Sequence, residues 1–448
     1  MSKPNIIFIF SDQQRWDTMG CYGQKLDVTP NLDNLAKKGV LFENAFTCQP
    51  VCGPARSCVQ TGKYATQTGC YRNGIAMKPD EKTIAKYFSE NGYETGYIGK
   101  WHLASTEGGS REDIGEHFDY SGKPVPEYLR GGYNDYWLAS DVLEKTSHGY
   151  NGHLFDGDMQ KVAFKGYRAD RMTDFALDYL KTRSLEKPFF LFLSYIEPHH
   201  QNDHFRFEGP RGSKQKFKNF EAPGDLAGQK GDWKKSYPDY LGCCNSLDYN
   251  VGRIADELAG LGLAENTVII YTSDHGSHFR TRNNEYKRSC HDASTRIPML
   301  AYGPGFMGGK TVRELVSLMD IPSTLLASAG IRKPDDMQGG PLQQLVSENA
   351  TEWPEEIFMQ ISESQVGRAI RTKKWKYSVS APDKSGWKDA GSSIYIEEYL
   401  YDLENDPHEL NNLVLHPDYV ETRWGLAKIL KKNMRQAGEQ EPEILPAS

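Results

Sequence analysis

The chain has 448 residues, more than one ordinary core needs, which favours a large catalytic domain with a smaller appendage. Hydrophobic residues make up 38%, charged residues 25% and aromatic residues 12%, a balance that excludes a disordered chain. A net charge of −7 gives no overall pull towards nucleic acid or an anionic membrane, so an anionic substrate needs a local basic pocket.

Near the start, the apolar run Ile6 to Phe10 is too short for the apolar region of a signal peptide and far too short for a membrane span. The chain therefore reads as cytoplasmic, with no membrane partner. The run belongs to a set of four, Asn5 to Phe10, Glu94 to Ile98, Pro188 to Tyr195 and Thr267 to Thr272, rich in β-branched or aromatic residues and without polar alternation. That pattern predicts parallel strands buried on both faces. Helical patterns fall between them. One has Thr29 as N-cap, Pro30 in the first turn, Leu32, Leu35 and Ala36 on one face and Gly39 as stop; others cover about Lys82 to Glu90, Tyr167 to Thr182 and Tyr240 to Leu258. Alternating strands and helices predict an α/β fold, a large central and mostly parallel sheet flanked by helices, with ligands beyond the carboxyl ends of the strands. Those ends carry Asp12 and Gln13, Lys100 and His102, His199 and His200, and Asp274 and His275.

Phe205 to Tyr237 is rich in Gly, Lys and Pro without a period and reads as a long surface loop over the site. After about Asn349 come short strand patterns, Glu356 to Ile361, Gly367 to Ile370 and Lys374 to Val379, then a helix near Val420 to Gln436. The expected division is a catalytic α/β domain over 1–349 and a small α+β C-terminal subdomain over 350–448. Eight cysteines without a C-x-x-C pair indicate neither a disulfide scaffold nor a zinc site, and Cys243 and Cys244 read as packing thiols of a helix.

Cys48 to Tyr64 is CQPVCGPARSCVQTGKY, in which Cys52, Pro54 and Arg56 form C-x-P-x-R, followed by Thr61, Gly62 and Lys63. Pro54 suits the first turn of a helix, whose free N–H groups and positive dipole end favour an oxyanion beside Cys52. Arg56 adds a permanent charge. Asp12 and Asp274, each closing an apolar strand, cannot share one crevice as bare carboxylates without a cation between them. Asp12, the Gln13 amide, Asp274 and an oxygen on residue 52 make an oxygen-rich set suited to Ca2+ or another hard divalent cation, with His275 as a nitrogen ligand. Lys100 and His102, at i and i+2 of an extended segment, share one face.

The C-x-P-x-R stretch resembles the signature of the sulfatase family, whose cysteine is converted after translation to formylglycine. Gly99 to His102, GKWH, looks like that family's G-K-x-H motif, which implies Lys100 on the sulfate and the nucleophile, and His102 as the base that ends the cycle. Pro198-His199 and Lys287 also resemble family positions, implying Lys287 on the sulfate and His199 or Lys287 near the leaving oxygen. Arg296-Ile297-Pro298, Leu400-Tyr401-Asp402-Leu403 and Asp406-Pro407 carry the likeness towards the C-terminus. It implies an alkaline-phosphatase-like fold, one divalent metal, a formylglycine-generating maturation enzyme as partner, and a small-molecule or oligosaccharide sulfate ester as substrate. A hydrated aldehyde is a gem-diol: one oxygen attacks sulfur and the other expels sulfate as C=O reforms, a second step closed to Ser or Cys.

Many sulfatases have Asp-Asp at the first strand end and Asp-Asn or Asp-His at the later one, where this chain has Asp12-Gln13 and Asp274-His275. The same combination occurs in related phosphonate monoester hydrolases, so a phosphonate monoester or phosphodiester hydrolase using the same aldehyde is the second reading. A protein that only binds sulfated glycans would have lost the nucleophile, a metal ligand or the basic clamp, and none is lost. His200, His204, His278, Arg280, Arg282 and His291 divide evenly between contacts to the rest of an anionic sugar and ordinary loop residues.

Overall fold

In the computed structural model, which describes residues 3–106, 118–184, 186–347 and 352–447, the strand Asn5–Asp12 is buried along its whole length in the middle of an eleven-stranded sheet. Its alternation explains the unbroken apolar run. Ile6, Phe8 and Phe10 enter one core with Ile84, Phe88 and Phe192, while Ile7 and Ile9 enter the opposite core with Leu32, Leu35 and Val251. Both faces are covered by helices, so neither face calls for polar residues. The strands Thr267–Ser273, Asn5–Asp12, Phe189–Pro198 and Glu94–Lys100 are consecutive neighbours in the sheet and all parallel.

Antiparallel and shorter strands extend both flanks. Met299–Tyr302 lies antiparallel between Thr267–Ser273 and Val40–Phe46, while Tyr136–Ser140 continues the parallel order beyond Glu94–Lys100. Register decides the position of the site: Ser11 sits beside Ser273, Asp12 beside Pro198, and Gly99 beside Ser194, so four carboxyl ends finish level. At Gly99, with φ +108°, a Cβ would stand 1.9 Å from the Ser194 carbonyl oxygen, so glycine alone lets the strand turn Lys100 into the crevice.

The helix Pro30–Lys38 has the predicted ends and buries Leu32, Leu35 and Ala36. Trp233–Gly260, by contrast, starts well before the expected Tyr240, because Pro238 is accommodated inside it. The reading of Phe205 to Tyr237 as a surface loop holds for most of 205–232, which is largely exposed and irregular, and is corrected at 233–237, which are helical, and at the side chains that anchor the loop. Phe207, Phe217, Leu226, Trp233 and Tyr237 are buried, packing with Tyr240 and Phe279 in an aromatic core of their own. All eight cysteines are free, and Cys243 and Cys244 are buried in that helix. No helix among the described residues is long and apolar enough to cross a membrane.

A second sheet runs in sequence order through Glu356–Ile361, Gly367–Thr372, Trp375–Ser380, Ile394–Asp402 and Glu443–Leu445, backed by the helix Val420–Gln436. Leu426, Leu430 and Met434 of that helix pack on Ile370, Tyr377 and Leu400. The expected boundary at 349/350 lies outside the described residues. The sheet docks on the first through Phe46, Leu315, Ile357 and Met359, and the Gln360 N–H donates to the Cys48 carbonyl at 2.9 Å.

Between the two sheets, Lys376 is wholly buried and donates to the Cys290 carbonyl and to Asp292 at 2.6 Å each, with Glu409 3.0 Å away. Burial lowers its basicity, yet the two carboxylates outweigh burial and raise it. Lys376→Ala leaves two buried carboxyls without their cation and should cost about 3–5 kcal/mol of stability. Urea denaturation measures it, and an unshifted midpoint would show that Lys376 does not hold the sheets together.

Candidate active site

Asp12 closes the first strand, and its Oδ2 accepts from Lys100 Nζ at 2.7 Å and Arg56 Nη2 at 2.9 Å. Burial and the charge of Cys52 push its carboxyl up. Lys100, His199 and Arg56 outweigh them and hold Asp12 well below the usual carboxylate range. Asp274, next along the sheet edge, has a weaker escort, Arg56 Nη2 at 3.7 Å and His275 Nε2 at 3.5 Å. Its Oδ1 accepts the Gln13 N–H at 2.9 Å, its Oδ2 has no hydrogen-bond partner, and burial followed by the Asp12 charge lifts its carboxyl to about 7.

Cys52 opens the helix Cys52–Thr61, every residue of which is buried. In its first turn the Gly53 N–H donates to Asn73 Oδ1 at 2.8 Å. Arg56, a turn further on, donates to the Lys100 carbonyl and to Ser194 Oγ as well as to Asp12, tying the helix to three strands. Around Cys52 Sγ stand Lys287 Nζ at 2.8 Å, His275 Nε2 at 3.3 Å and Asp12 Oδ1 at 3.4 Å. Burial pushes the thiol up, but Lys100, Lys287 and His275, with a hydrogen bond from His102, bring it well below the ordinary thiol range. An anion at this position is strongly favoured.

Lys287 comes from a loop outside the sheet, and its placement depends on both halves of the protein. His278 and Asn283 donate to its carbonyl at 3.0 and 3.1 Å, Arg282 donates to the carbonyls of His408 and Glu409, and Ser364 donates to the Arg288 carbonyl. Arg288 also pairs with Glu363. His199 Nε2 stands 3.4 Å from Lys287 Nζ and 4.0 Å from Asp12 Oδ1. Burial and Lys287 push its imidazole down, but the carboxylates of Asp12 and Glu144 lift it to about 9.

Cys52, Lys100, His102, His199, Lys287 and Gln13 line one pocket of about 450 Å³. Five of its residues, Gln13, His102, Phe205, Arg280 and Arg288, hold positive φ between 51° and 70° although none is glycine. Left-handed backbone at non-glycine residues is uncommon and gathers at functional sites. Of the loop residues left open by sequence, His200 and Arg280 line the pocket. His204 instead meets Glu208 at 2.6 Å on the outside, while His278 and Arg282 brace the Lys287 loop. His291 is buried 3.1 Å from the Tyr401 hydroxyl.

Asp12, Cys52, Asp274 and His275 offer ligand atoms that all lie within 4.8 Å of one another. Asp274 Oδ2 accepts no hydrogen bond and has only the Arg56 guanidinium, 3.7 Å away, beside it, which fits a cation. The Gln13 amide NH2 donates to Ser277 at 3.2 Å, leaving its oxygen for an ion. His275 Nδ1 donates to the Gly276 carbonyl at 2.9 Å, a bond that presents Nε2 as the ligand nitrogen. These groups suit a hard divalent ion.

Sequence reasoning missed Asp141 and Glu144, which follow the five-residue strand Tyr136–Ser140. Buried Asp141 accepts the N–H groups of Leu103, Ala104 and Ser105 at 2.9 Å each and the Ser105 hydroxyl, shaping the turn after His102. The only signal was a carboxylate closing a strand too short to read.

A parallel sheet with this cluster of carboxylates, lysines and imidazoles at its carboxyl edge defines a hydrolase of the alkaline-phosphatase-like superfamily. The sulfatase family profile matches residues 4–331, and that of the N-sulphoglucosamine sulphohydrolase C-terminal region matches residues 285–437. An ulvan-active sulfatase of Formosa agariphila is 30% identical, the match covering 98% of this chain and 82% of the relative. An arylsulfatase of Clostridium perfringens is also 30% identical, over 96% of this chain and 94% of the relative. Among solved structures, a protein in complex with its substrate D-glucosamine-2-N,6-O-disulfate shares the fold at TM-score 0.77, with 24% identity and coverage of 98% and 99%. A phosphonate monoester hydrolase of Agrobacterium radiobacter shares it at 0.74, with 21% identity and coverage of 97% and 96%. The chain belongs to the sulfatase family and is a sulfuric ester hydrolase.

Asp141→Ala should lower both thermal stability and activity, since each stranded N–H costs about 1–3 kcal/mol. Wild-type melting together with wild-type turnover would show that the turn after His102 holds its shape without Asp141.

Proposed function

We propose that the chain hydrolyses sulfate esters of sugars, using a formylglycine made from Cys52 and one divalent metal ion, Ca2+ by the hardness of the ligands. The observation that carries this reading is the convergence of Lys287, His275 and Asp12 on the side chain of residue 52 at a helix start. Asp12, Gln13, Asp274 and His275 would hold the ion, which supplies fixed positive charge against the oxygens of residue 52 and the sulfate group. A hydrated aldehyde at position 52 supplies two oxygens on one carbon, one to attack sulfur and one to expel sulfate.

The chain's own residues do the rest. Lys100 and Lys287 hold the nonbridging sulfate oxygens. Arg56 and the helix's first turn keep negative charge stable at residue 52. His199 gives a proton through Nε2 to the departing alcohol, and His102 takes one from the second hydroxyl at residue 52. A positioned acid or base of this kind contributes about 10²- to 10⁴-fold in rate. Cys52 is 1% exposed, so a formylglycine-generating maturation enzyme has to reach it before the pocket closes.

The rim supports a sugar. Phe205 is 81% exposed at the mouth, Tyr286 carries the Arg280 guanidinium 4.9 Å over its ring, and His200 stacks on Tyr286 at 4.4 Å. Apolar ring faces beside a cation suit a sugar that bears anionic groups. The sulfated glucosamine that is the substrate of one fold neighbour supports the same class. The Asp12-Gln13 and Asp274-His275 combination favours the second reading, a phosphonate monoester or phosphodiester hydrolase.

Peptide mass analysis should show a loss of mass at Cys52, and Cys52→Ala should abolish turnover. Chelation should remove activity while the circular dichroism stays unchanged. In a panel of sulfated mono- and disaccharides, an aryl sulfate and an aryl phosphonate, a sulfated sugar should be turned over with the highest kcat/KM. Faster turnover of the phosphonate than of every sulfate ester would hand the case to the second reading, and full activity of Cys52→Ala would end both.

A further inference from the structure

One carboxylate in the pocket has no part in the chemistry above. Glu144 lies in the short helix Leu143–Thr146, directly after the strand that lies beside Glu94–Lys100, and its Oε2 stands 3.1 Å from His199 Nδ1. The contact has ion-pair distance, off the straight line of a good hydrogen bond. Both atoms are buried, and neither has a hydrogen-bond partner. A buried carboxylate and a buried ring nitrogen without other partners, this close together, define each other's orientation.

The other atoms of Glu144 show how it is held. Its Oε1 accepts from Asn202 Nδ2 at 3.0 Å, and its backbone carbonyl accepts from Gln201 Nε2 at 3.0 Å. Asn202 and Gln201 belong to the turn that follows His199, so imidazole and carboxylate are carried by two segments clamped together. With Nδ1 turned to Glu144, Nε2 faces the other way, towards Lys287 and Asp12.

We infer that Glu144 is a positioning residue for His199: it holds the ring through Nδ1 so that Nε2 addresses the ester oxygen of the bound sulfate. The inference rests on the role proposed for His199. When the S–O bond breaks, its electron pair passes to the ester oxygen, which takes the proton from Nε2; the other proton stays on Nδ1, facing the Glu144 carboxylate, and the ring ends neutral. Loss of the carboxylate leaves the ring free to turn, and the acid is then misplaced although still present. Departing groups that need no proton are spared.

The test uses kcat/KM along a series of aryl sulfates, from 4-nitrophenyl to 4-methoxyphenyl, together with a simple alkyl sulfate. The variants are H199A, E144L, E144A and the double variant H199A/E144L. E144L fills the volume, E144A makes no steric demand, and whichever keeps the wild-type circular dichroism is used. Expected in H199A and in the Glu144 variants alike is a loss that grows along the series, smallest on 4-nitrophenyl sulfate and about 10²-fold greater towards the most basic leaving groups, with a double variant no worse than H199A. E144D should recover part of the loss. If H199A steepens the leaving-group dependence and the Glu144 variants lose rate equally on all substrates, or not at all, Glu144 has no positioning role. Multiplied losses in the double variant would likewise exclude that role. If H199A itself leaves the dependence unchanged, the proton-donor role of His199 fails and the inference falls with it.

Discussion

Two carboxylates, Asp12 and Asp274, stand at neighbouring strand ends in a place that water does not reach, and the catalytic half is arranged around their charge. Removing an ion from water costs several kcal/mol unless good partners replace the solvent. Asp12 receives them from two directions, Lys100 from the next-but-one strand and Arg56 from the helix that opens at Cys52. No single element could supply both. Only the order of parallel strands, with its level carboxyl ends, brings these cations within 3 Å of one oxygen. Asp274 is left to a proton or a cation, and the same imbalance draws negative charge towards the pocket through Lys287.

The second sheet is part of this arrangement and not a passive appendage. Lys287, the cation nearest to Cys52, rides on a loop held partly by residues 363–364 and 408–409. One of them, Glu409, is in turn held by the buried Lys376. The geometry at the nucleophile position therefore depends on packing between two sheets whose hydrogen-bonded ladders are separate.

The central strands and the residues at their ends were legible because burial on both faces writes itself as an unbroken apolar run. Ile6 to Phe10 is the plainest case, and Thr29, Pro30 and Gly39 mark the ends of their helix, although the Thr29 hydroxyl accepts the Gly20 N–H and caps no N–H of the helix itself. Glu144 and Asp141 were hidden because the strand before them, Tyr136–Ser140, has five residues and no distinctive period. Ile394–Asp402 was missed as a strand for another reason. Its inward-facing Glu397 breaks the apolar alternation, and its partners, Arg423 and Tyr377, are distant in sequence. Tyr237 looked like loop because Pro238 follows it, yet a proline in the early turns of a long helix forfeits one hydrogen bond, which the aromatic core around Phe279 outweighs.

The five left-handed residues around the pocket bear on how such an enzyme can be improved. Each side chain there is kept at a backbone geometry that glycine would adopt more comfortably, by about 1 kcal/mol apiece. A selection for heat resistance alone would thus be rewarded for erasing Gln13, His102, Phe205, Arg280 and Arg288, and with them five side chains of the pocket wall. Robustness is better sought in the outer turns and at the edges of both sheets, where backbone comfort and recognition do not compete.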